Sequence, residues 1–336
     1  MAARGYNVTV YCRERHTEPS YRGVSLVYLP TWRHKYFETI AHTFLSTIHL
    51  IFRRCDMALY CNAANAVFTL WPRLFGIPVV LNVDGLERKR KKWNLAAKAW
   101  YLISERLATF CPTVVVTDAD KIAEYYLERY HKQSEFIPYG AEVGKIETAG
   151  VLDQLGLQPG RYLLYVSRME PENNALLVRE AFEKVATGMK LALIGDAPYA
   201  QDYIRQVRNT IDSRVVMPGA IYGRGYHELQ SHSFAYIHAT EVGGTHPALI
   251  EAMGRGALVL YLNTPENAEV AGEAGIAFQA SELRQKLEWA LAMSEAERAE
   301  IGRRAMARVA ERYSWSRVTD QYEELLLKIR PRRLTG

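Results

Sequence analysis

Short runs of β-branched residues alternate with stretches of helical periodicity along the whole chain. In the first part, the predicted strands are Val8–Tyr11, Ser25–Leu29, Met57–Tyr60, Val79–Asn82 and Thr113–Val116. The segments with helical periodicity between them include Tyr36–Arg54, Trp93–Phe110 and Ala119–Tyr130. Alternation of this kind predicts a parallel sheet that is covered by helices on both faces.

The pattern pauses at Gly140–Gly160, where glycines and charged residues cluster, and then restarts. The later predicted strands are Tyr162–Val166, Lys190–Ile194, Arg214–Met217, Phe234–Ile237, Ala257–Tyr261 and Ile276–Phe278. The later predicted helices are Asn174–Val185, Tyr199–Thr210, Pro247–Met253, Ser281–Met293, Glu295–Arg312 and Ser316–Ile329. We therefore expect two α/β domains, residues 1–145 and 146–312. We expect residues 313–336 to contain a final helix, which Tyr313 and Trp315 would pin back toward the first domain.

The first domain has an unusual beginning. A doubly wound domain normally opens with a strand, a glycine-rich turn and a helix. Here Ala2–Val8 is typical of the end of that helix followed by the second strand. We expect a central strand, a loop and most of a helix to be absent, about two dozen residues on the usual size of a βαβ unit. Open hydrogen-bonding edges would then remain inside the sheet.

Composition is that of a soluble globular protein: of 336 residues, 49% are hydrophobic and 24% charged. The longest apolar stretch, Ile40–Phe52, is too short and too polar to span a bilayer. The cysteines form no CxxC pair, which argues against structural zinc and a disulfide framework; they are Cys12, Cys55, Cys61 and Cys111. These features indicate a cytoplasmic protein.

A basic run, Arg88–Lys92, carries part of the net charge of +5. Two interpretations stay open: a solvated helix start, or a patch that attracts an anionic membrane face or the phosphates of a substrate. The latter would place the protein peripherally on the inner face of the plasma membrane. Aromatic residues that could stack on bases are not interleaved with the run, since only Trp93 follows it. Nucleic acid is therefore not an expected partner.

The strongest candidate site is a glycine loop between a predicted strand and a predicted helix. Gly243 and Gly244 let backbone N–H groups approach a ligand, Thr245 can cap the helix, and Pro247 suits its first turn. The helix N-terminus would then bind a diphosphate. Glu251, one turn further, can accept hydrogen bonds from two ribose hydroxyls. A plain strand–helix turn would explain the glycines but not the acidic residue.

Two further candidates follow predicted strands, at the edge where open α/β sheets bind ligands. Arg168 has the fork geometry that suits two phosphate oxygens, although a surface ion pair is the commoner role of such an arginine. Asp84 could act as a general base or an electrostatic partner, although it could also belong to a simple Asp-Gly turn.

Four motifs carry a resemblance to a known family. They are Asn-Val-Asp-Gly-Leu-Glu at 82–87, Ile-Pro-Tyr-Gly at 137–140, Pro-Glu-Asn-Asn at 171–174 and Gly-Gly-Thr-x-Pro-x-Leu-x-Glu-Ala at 243–252. With these motifs, in this order, the whole chain resembles glycosyltransferase family 4. More narrowly, it resembles the bacterial rhamnosyltransferase-like subgroup.

The resemblance implies the GT-B fold, in which two Rossmann-like doubly wound domains face a cleft. It implies a retaining transfer, without metal or cofactor, of a sugar such as rhamnose from a nucleoside diphosphate. The acceptor would be a hydroxyl of a surface polysaccharide or a lipid-linked glycan. Asp84 would be catalytic. The implied donor-binding residues are Arg168, Asn173, Gly195, Asp196, Gly243, Gly244, Thr245 and Glu251, and those on the acceptor or membrane side are Gly85, Glu87, Arg88 and Lys89.

The chain departs from the family pattern at two positions. Gly243 stands where the family often has a glutamate, and Asn173 stands where a lysine often partners the arginine. The phosphate clamp would then rest on Arg168 alone or recruit Arg224. His238 and His246 flank the donor loop, and their position alone does not decide between a site role and packing. Two other functions stay open: a sugar-nucleotide epimerase on the same fold, and a non-catalytic nucleotide-sugar-binding or scaffold protein.

Overall fold

The computed structural model of the chain describes residues 1–32, 34, 37–53 and 55–330. It divides into two compact units. The first contains residues 1–88 and 93–137, together with the chain from Thr319 onward. The second contains Lys89–Lys92 and Pro138–Val318.

The first unit contains short strands and amphipathic helices. Its strands are β1 (Thr9–Cys12), β2 (Ser20–Tyr21), β3 (Val24–Tyr28), β4 (Ala58–Cys61), β5 (Val79–Asn82), β6 (Val114–Thr117) and β7 (Glu135–Phe136). Its helices are α1 (Glu38–Arg53), α2 (Ala66–Leu74), α3 (Leu95–Ala108) and α4 (Asp120–Tyr130). Tyr36 and Arg54, the ends of the helix predicted here, lie outside the described residues.

The strands of the first unit form two sheets. β4, β5, β6 and β7 are parallel in this order, and β1 pairs in parallel with β3. The two-residue strand β2, which the sequence did not predict, is antiparallel to β3. Within the described ranges, β1 pairs only with β3 and β4 only with β5. Val10 on β1 is 45% exposed and Leu59 on β4 is 49% exposed, whereas β5 is buried throughout.

The second unit is a regular α/β domain. Its strands are β8 (Tyr162–Val166), β9 (Lys190–Ile194), β10 (Val215–Gly219), β11 (Ala235–His238), β12 (Val259–Leu262) and β13 (Ile276–Phe278). Its helices are α5 (Gly150–Gln154), α6 (Ala175–Glu183), α7 (Gln201–Arg208), α8 (Gly223–His232), α9 (Pro247–Gly254), α10 (Pro265–Ala271), α11 (Leu283–Ala292), α12 (Glu295–Arg312) and the start of α13 (Trp315–Ile329). From Thr319 onward, α13 belongs to the first unit.

The six strands of the second unit form one parallel sheet in the order β10-β9-β8-β11-β12-β13. This is the doubly wound arrangement, and the direction of winding reverses between β8 and β11. Ligands of open α/β sheets bind outside the carboxyl ends of the strands at such a reversal. The segments that follow β8 and β11 are therefore placed at the expected ligand edge.

Burial on both faces explains why the strand runs of this sheet are continuously apolar. Leu163 and Tyr165 on β8 pack into a core cluster on one face of the sheet. Tyr162 and Leu164 pack into a second cluster on the other face, as the two-residue side-chain period of a strand requires. The predicted α/β class with parallel sheets is thus confirmed for this unit.

Candidate functional site

The turn after β8 presents Arg168 to solvent. Its carbonyl oxygen accepts hydrogen bonds from the Nδ2 group of Asn173 at 2.7 Å and from the backbone N–H of Glu170 at 2.8 Å. The Arg168 side chain is exposed. Its guanidinium has no ion pair or hydrogen bond with any residue that the structure describes, so the fork is available to an anion. These hydrogen bonds fix the backbone of the turn, whereas the guanidinium of Arg168 stays exposed to solvent.

Asn173 is buried and braces this turn. Besides its bond to the carbonyl of Arg168, its own carbonyl oxygen accepts the hydroxyl hydrogen of Tyr165 at 2.7 Å. The side chain is 2% exposed, and its Oδ1 atom finds no hydrogen-bond donor in the described part of the chain. The structure therefore shows a supporting role for Asn173, and its direct contact with a donor stays a prediction.

Gly195 and Asp196 lie beside the same turn. Gly195 has φ +146°, and a Cβ atom at this position would overlap the carbonyl oxygen of Ser167. Only glycine fits where the end of β9 passes so close to another backbone. The carbonyl oxygen of Asp196 accepts the N–H of Met169 at 3.3 Å. The fold thus brings two separate sequence motifs to one edge of the sheet.

The glycine loop after β11 leads into α9, but Thr245 does not cap that helix. The N-cap residue is His246, and no side chain caps the helix there. The physical reason is the position of Pro247, which occupies the first helical position, so that the N-cap must be the residue directly before it. Thr245 is buried, 4% exposed. The side chain of the N-cap residue His246 thus does not cap the helix N-terminus, which suits an anion.

Glu251 lies one turn into α9 and is held by a tyrosine. The hydroxyl of Tyr226 donates a hydrogen bond to its Oε2 atom at 2.6 Å, and the Nε2 group of Gln230 donates to the Tyr226 oxygen at 2.8 Å. Burial raises the pKa of Glu251 and also that of Tyr226. The carboxylate is half-buried. A fixed acceptor of this kind suits the hydroxyls of a ribose.

His238 and His246 pack against each other beside this loop, with ring centroids 4.8 Å apart and ring planes at 53°. Burial lowers the pKa of both imidazoles. For His246 the positive charges of Arg90 and Arg168 add to the effect, so that its pKa falls to about 3. Both rings are therefore neutral at neutral pH. These contacts favour a site role for His246. The sequence alone had not decided between such a role and simple packing.

The basic run is not the start of a helix. Arg88 belongs to a short 3-10 turn, and helix α3 begins later, after the N-cap residue Asn94. The Nε group of Arg88 donates to Glu105 at 3.0 Å, and its terminal nitrogen donates to the hydroxyl of Tyr125 at 2.8 Å. Lys89 is exposed. Of the two interpretations of the run, the solvated helix start is thus wrong.

The rest of the run pairs with acidic residues of the second unit. The pairs are Arg90–Glu170 at 3.7 Å, Arg90–Glu172 at 3.9 Å, Lys91–Glu241 at 2.7 Å and Lys92–Glu170 at 3.2 Å. These carboxylates belong to the segments after β8 and β11, which present Arg168 and the glycine loop. Because the run neutralises them, they repel an incoming anion less. Sequence reasoning placed the run on the acceptor or membrane side and missed this role.

Arg224, the alternative partner for Arg168, is engaged elsewhere in the second unit. Its Nε group donates to Thr148 Oγ1 at 3.0 Å and lies 3.5 Å from Glu228. Arg90 and Lys92 are cations that ion pairs with Glu170 bring next to the Arg168 turn.

Asp84 lies in the first unit, just after β5, in the left-handed region with φ 58°. Its N–H donates to Oδ1 of Asn82 at 2.9 Å, and Nδ2 of Asn82 donates to the hydroxyl of Tyr322 on α13 at 3.1 Å. Gly85 and Glu87 are buried, and Trp93 Nε1 donates to Oε2 of Glu87 at 3.4 Å. Asp84 therefore begins a bend in the chain that Asn82 and Tyr322 support.

No group of three or more His, Cys, Asp or Glu side chains in the residues that the structure describes could hold a metal ion. No described helix is both long and apolar enough to cross a membrane.

Comparison with known proteins identifies two regions of the chain. Residues 160–293, which cover most of the second unit, match the family model described as glycosyl transferases group 1. Residues 61–142 match a domain of unknown function, DUF1972. None of the curated proteins matches the chain in sequence. The second unit therefore contains a glycosyl transferase group 1 domain.

Solved structures share the fold at low sequence identity. HepE of Anabaena, solved with UDP and glucose, is 15% identical, with a TM-score of 0.75 over 91% of this chain and 86% of that one. Sucrose-phosphate synthase from Thermosynechococcus elongatus is 18% identical, with a TM-score of 0.78 over 97% and 90%. WaaG, a glycosyltransferase involved in lipopolysaccharide biosynthesis, is 17% identical, with a TM-score of 0.72 over 97% and 92%. These likenesses confirm the predicted α/β fold of the GT-B class.

Proposed function

We propose that this chain is a glycosyltransferase that moves a sugar from a nucleoside diphosphate donor to a hydroxyl of an acceptor. One observation carries the proposal. The guanidinium of Arg168, which no described residue pairs, and the N-terminus of α9, which the side chain of its N-cap residue does not cap, follow β8 and β11, the strands between which the winding reverses. Both belong to the region that matches the glycosyl transferase model.

In this proposal the donor's diphosphate binds between Arg168 and the backbone of Gly243, Gly244 and Thr245. Charge-assisted hydrogen bonds from an arginine fork are strong and shaped for phosphate oxygens. Glu251 receives the ribose hydroxyls through the carboxylate that Tyr226 fixes. Gly195 and Asp196, which pack beside the Arg168 turn, border the nucleotide.

The chemistry is displacement of the nucleoside diphosphate from the sugar carbon by the acceptor oxygen. Arg168 and the helix N-terminus stabilise the charge that grows on the leaving phosphate, which is electrostatic preorganisation. Asp84 is the proposed catalytic carboxylate, acting as a general base or an electrostatic partner. We further propose that the transfer retains the anomeric configuration and needs no metal.

The donor and the acceptor are finer parts of the proposal. UDP is the first nucleotide to test because HepE binds it, and a deoxythymidine carrier with rhamnose is the second, from the motif resemblance. The acceptor would be a surface polysaccharide or a lipid-linked glycan. Peripheral contact with an anionic membrane would rest on Lys89 and Lys91, the exposed members of the run.

A second candidate is a non-catalytic nucleotide-sugar-binding scaffold. The observation that favours it is the pair of edges on β1 and β4 that no strand covers in the described part of the chain. Such a protein would bind the donor without turnover.

The experiment is a transfer assay with purified protein, UDP-sugars or dTDP-rhamnose, and glycan acceptors. Release of the nucleoside diphosphate that depends on acceptor supports the proposal, and the Asp84→Asn variant should lose most of it. Release of an altered sugar nucleotide without acceptor would instead indicate an epimerase. Nucleotide binding without any turnover would support the scaffold.

A further inference from the structure

His246 is held over a glycine. The imidazole folds back from the N-cap of α9 so closely that a Cβ atom at Gly243 would overlap its Cε1 and Nε2 atoms. Gly243 does not have a positive φ, so its backbone conformation does not itself require glycine. The ring therefore occupies the space that a side chain at 243 would need, and the loop fixes its position.

A second imidazole lies against the first. His238 ends β11 and is 3% exposed, and its ring centroid is 4.8 Å from that of His246. Its ring is buried, and the side chain of Asn267 acts on it as a hydrogen-bonding neighbour. His246 is half-buried, so one side of the pair is accessible.

The surrounding charges decide which part of a ligand His246 suits. Arg90 and Arg168 both act on His246 and, together with burial, keep its ring uncharged by lowering its pKa to about 3. A neutral imidazole offers one hydrogen-bond donor and one acceptor, the same pair of functions as a hydroxyl group. A phosphate oxygen would bind the permanently charged Arg168 more strongly than a neutral ring. The ring therefore suits the hydroxyl-bearing part of the donor.

We propose that His246 recognises the donor sugar, with its neutral ring hydrogen-bonded to a hydroxyl of the transferred sugar and backed by His238. This inference rests on the proposed function, because it places the diphosphate at Arg168 and the N-terminus of α9. The sugar attached to that diphosphate then lies beside the N-cap residue. His246 acts in sugar recognition and Glu251 in nucleotide recognition.

The test separates the sugar from the nucleotide by calorimetry. UDP, UDP-glucose, UDP-galactose, UDP-N-acetylglucosamine, dTDP and dTDP-rhamnose are titrated into wild type, His246→Ala, His246→Asn and Gly243→Ala. The matched control is His232→Ala, a half-buried histidine whose ring contacts the carbonyl of Thr148. Thermal melting of each variant establishes that it is folded.

In wild type, the preferred sugar nucleotide should bind more tightly than its nucleoside diphosphate. His246→Ala should weaken binding of the sugar nucleotide by roughly three- to tenfold, the usual effect of one lost hydrogen bond, and change that of the diphosphate less than about twofold. Gly243→Ala, which keeps the histidine but displaces its ring, should give the same pattern. His246→Asn should recover part of the loss.

Equal weakening of diphosphate and sugar nucleotide by His246→Ala would overturn the proposal, because it would place the ring on the phosphates or in the fold. Unchanged affinities in His246→Ala would overturn it as well. So would a wild type that binds no sugar nucleotide more tightly than the corresponding nucleoside diphosphate. A folded wild type that binds none of the six compounds would contradict the proposed function itself.

Discussion

The hydroxyl of Tyr226 donates a hydrogen bond to Oε2 of Glu251 at 2.6 Å. The two residues lie on different helices, α8 and α9, and Gln230 on α8 in turn donates to the Tyr226 oxygen. One carboxylate oxygen is thereby fixed, which orients the group that is proposed to receive the ribose. Positioning of this kind lowers the entropy that a ligand contact loses on binding.

The Tyr226→Phe variant should weaken the binding of ribonucleotides. Loss of one hydrogen bond to a charged group predicts a decrease of roughly tenfold in affinity for UDP. A 2′,3′-dideoxy nucleoside diphosphate lacks the hydroxyls that Glu251 is proposed to hold, so its affinity should change little. Calorimetric titration of both nucleotides checks this. An equal decrease for the two compounds would contradict the ribose assignment of Glu251.

Stability at different pH values should reveal the burial of the same carboxylate. Burial raises the pKa of Glu251 above its ordinary value of 4.5. A raised pKa means that the folded state binds the proton more tightly than the unfolded state, so this group's contribution to stability falls as pH rises from that ordinary value through the folded pKa. Glu251→Gln removes the dependence. As pH rises from 4.5, the melting temperature of Glu251→Gln should increase relative to that of wild type. A decrease relative to wild type would show that the pKa of Glu251 is not raised in the folded state.

In the first unit, Tyr322 should act on Asp84 through Asn82. The Tyr322 hydroxyl accepts from Nδ2 of Asn82, whose Oδ1 accepts the N–H of Asp84. Removing the hydroxyl in Tyr322→Phe loosens a residue held at φ 58°. We expect kcat to fall severalfold while nucleotide affinity stays the same. The control is Gln321→Ala, on the same helix, whose side chain reaches the carbonyl of Phe136 at 3.4 Å.

A double-mutant cycle distinguishes positioning from simple destabilisation. If Tyr322 acts through Asp84, Tyr322→Phe should have little further effect on kcat in the Asp84→Asn background. Additive effects on kcat would show that the two residues act independently.

The pair Arg90–Glu172 should contribute strongly to stability. Glu172 is fully buried and neither of its carboxylate oxygens has a hydrogen-bond partner in the described residues, so the guanidinium at 3.9 Å compensates its charge. Arg90→Ala leaves that charge uncompensated and should cost about 3–5 kcal/mol in the free energy of unfolding. Arg90→Gln with Glu172→Gln should recover part of the loss, as measured by urea denaturation. No recovery in the double variant would mean that the charge of Glu172 is not the cause.

Much of the fold follows from the sequence because its strands are buried on both faces. Val79–Asn82, Tyr162–Val166, Lys190–Ile194 and Ile276–Phe278 are found with the predicted ends. Such runs are apolar throughout and bounded by polar or turn residues, so their limits are visible. Helix Glu295–Arg312 is also found as predicted, and a capping box between Ser294 and Glu297 fixes its start.

The elements that sequence patterns missed have weaker local signals. Helix α8 begins with Gly223 at φ 63°, and α2 contains Pro72, so both carry residues that usually mark turns. The two-residue strands β2 and β7 are too short for an alternating pattern. These elements form because tertiary packing outweighs local propensity.

The candidate site likewise contains some residues that the sequence indicated and others that it did not. Arg168, Gly243 and Glu251 were predicted from a strand end and a helix start, and Gly195 from the motif resemblance. Tyr226 gave no signal, since its partner lies 25 positions away and the contact depends on how two helices pack. Arg90 was visible only as part of a charged run, and charge alone does not indicate a buried carboxylate partner.

The most direct test of the account is nucleotide binding by the second unit's site in the intact chain. Thermal shift with UDP, GDP, ADP and dTDP is measured on wild type, Arg168→Ala and Glu251→Ala. A donor site predicts stabilisation of about 2.7 kcal/mol at a hundredfold excess over Kd, with one nucleotide preferred and the effect lost in both variants. A folded wild type that none of the four stabilises, or a shift that both variants retain, would contradict it.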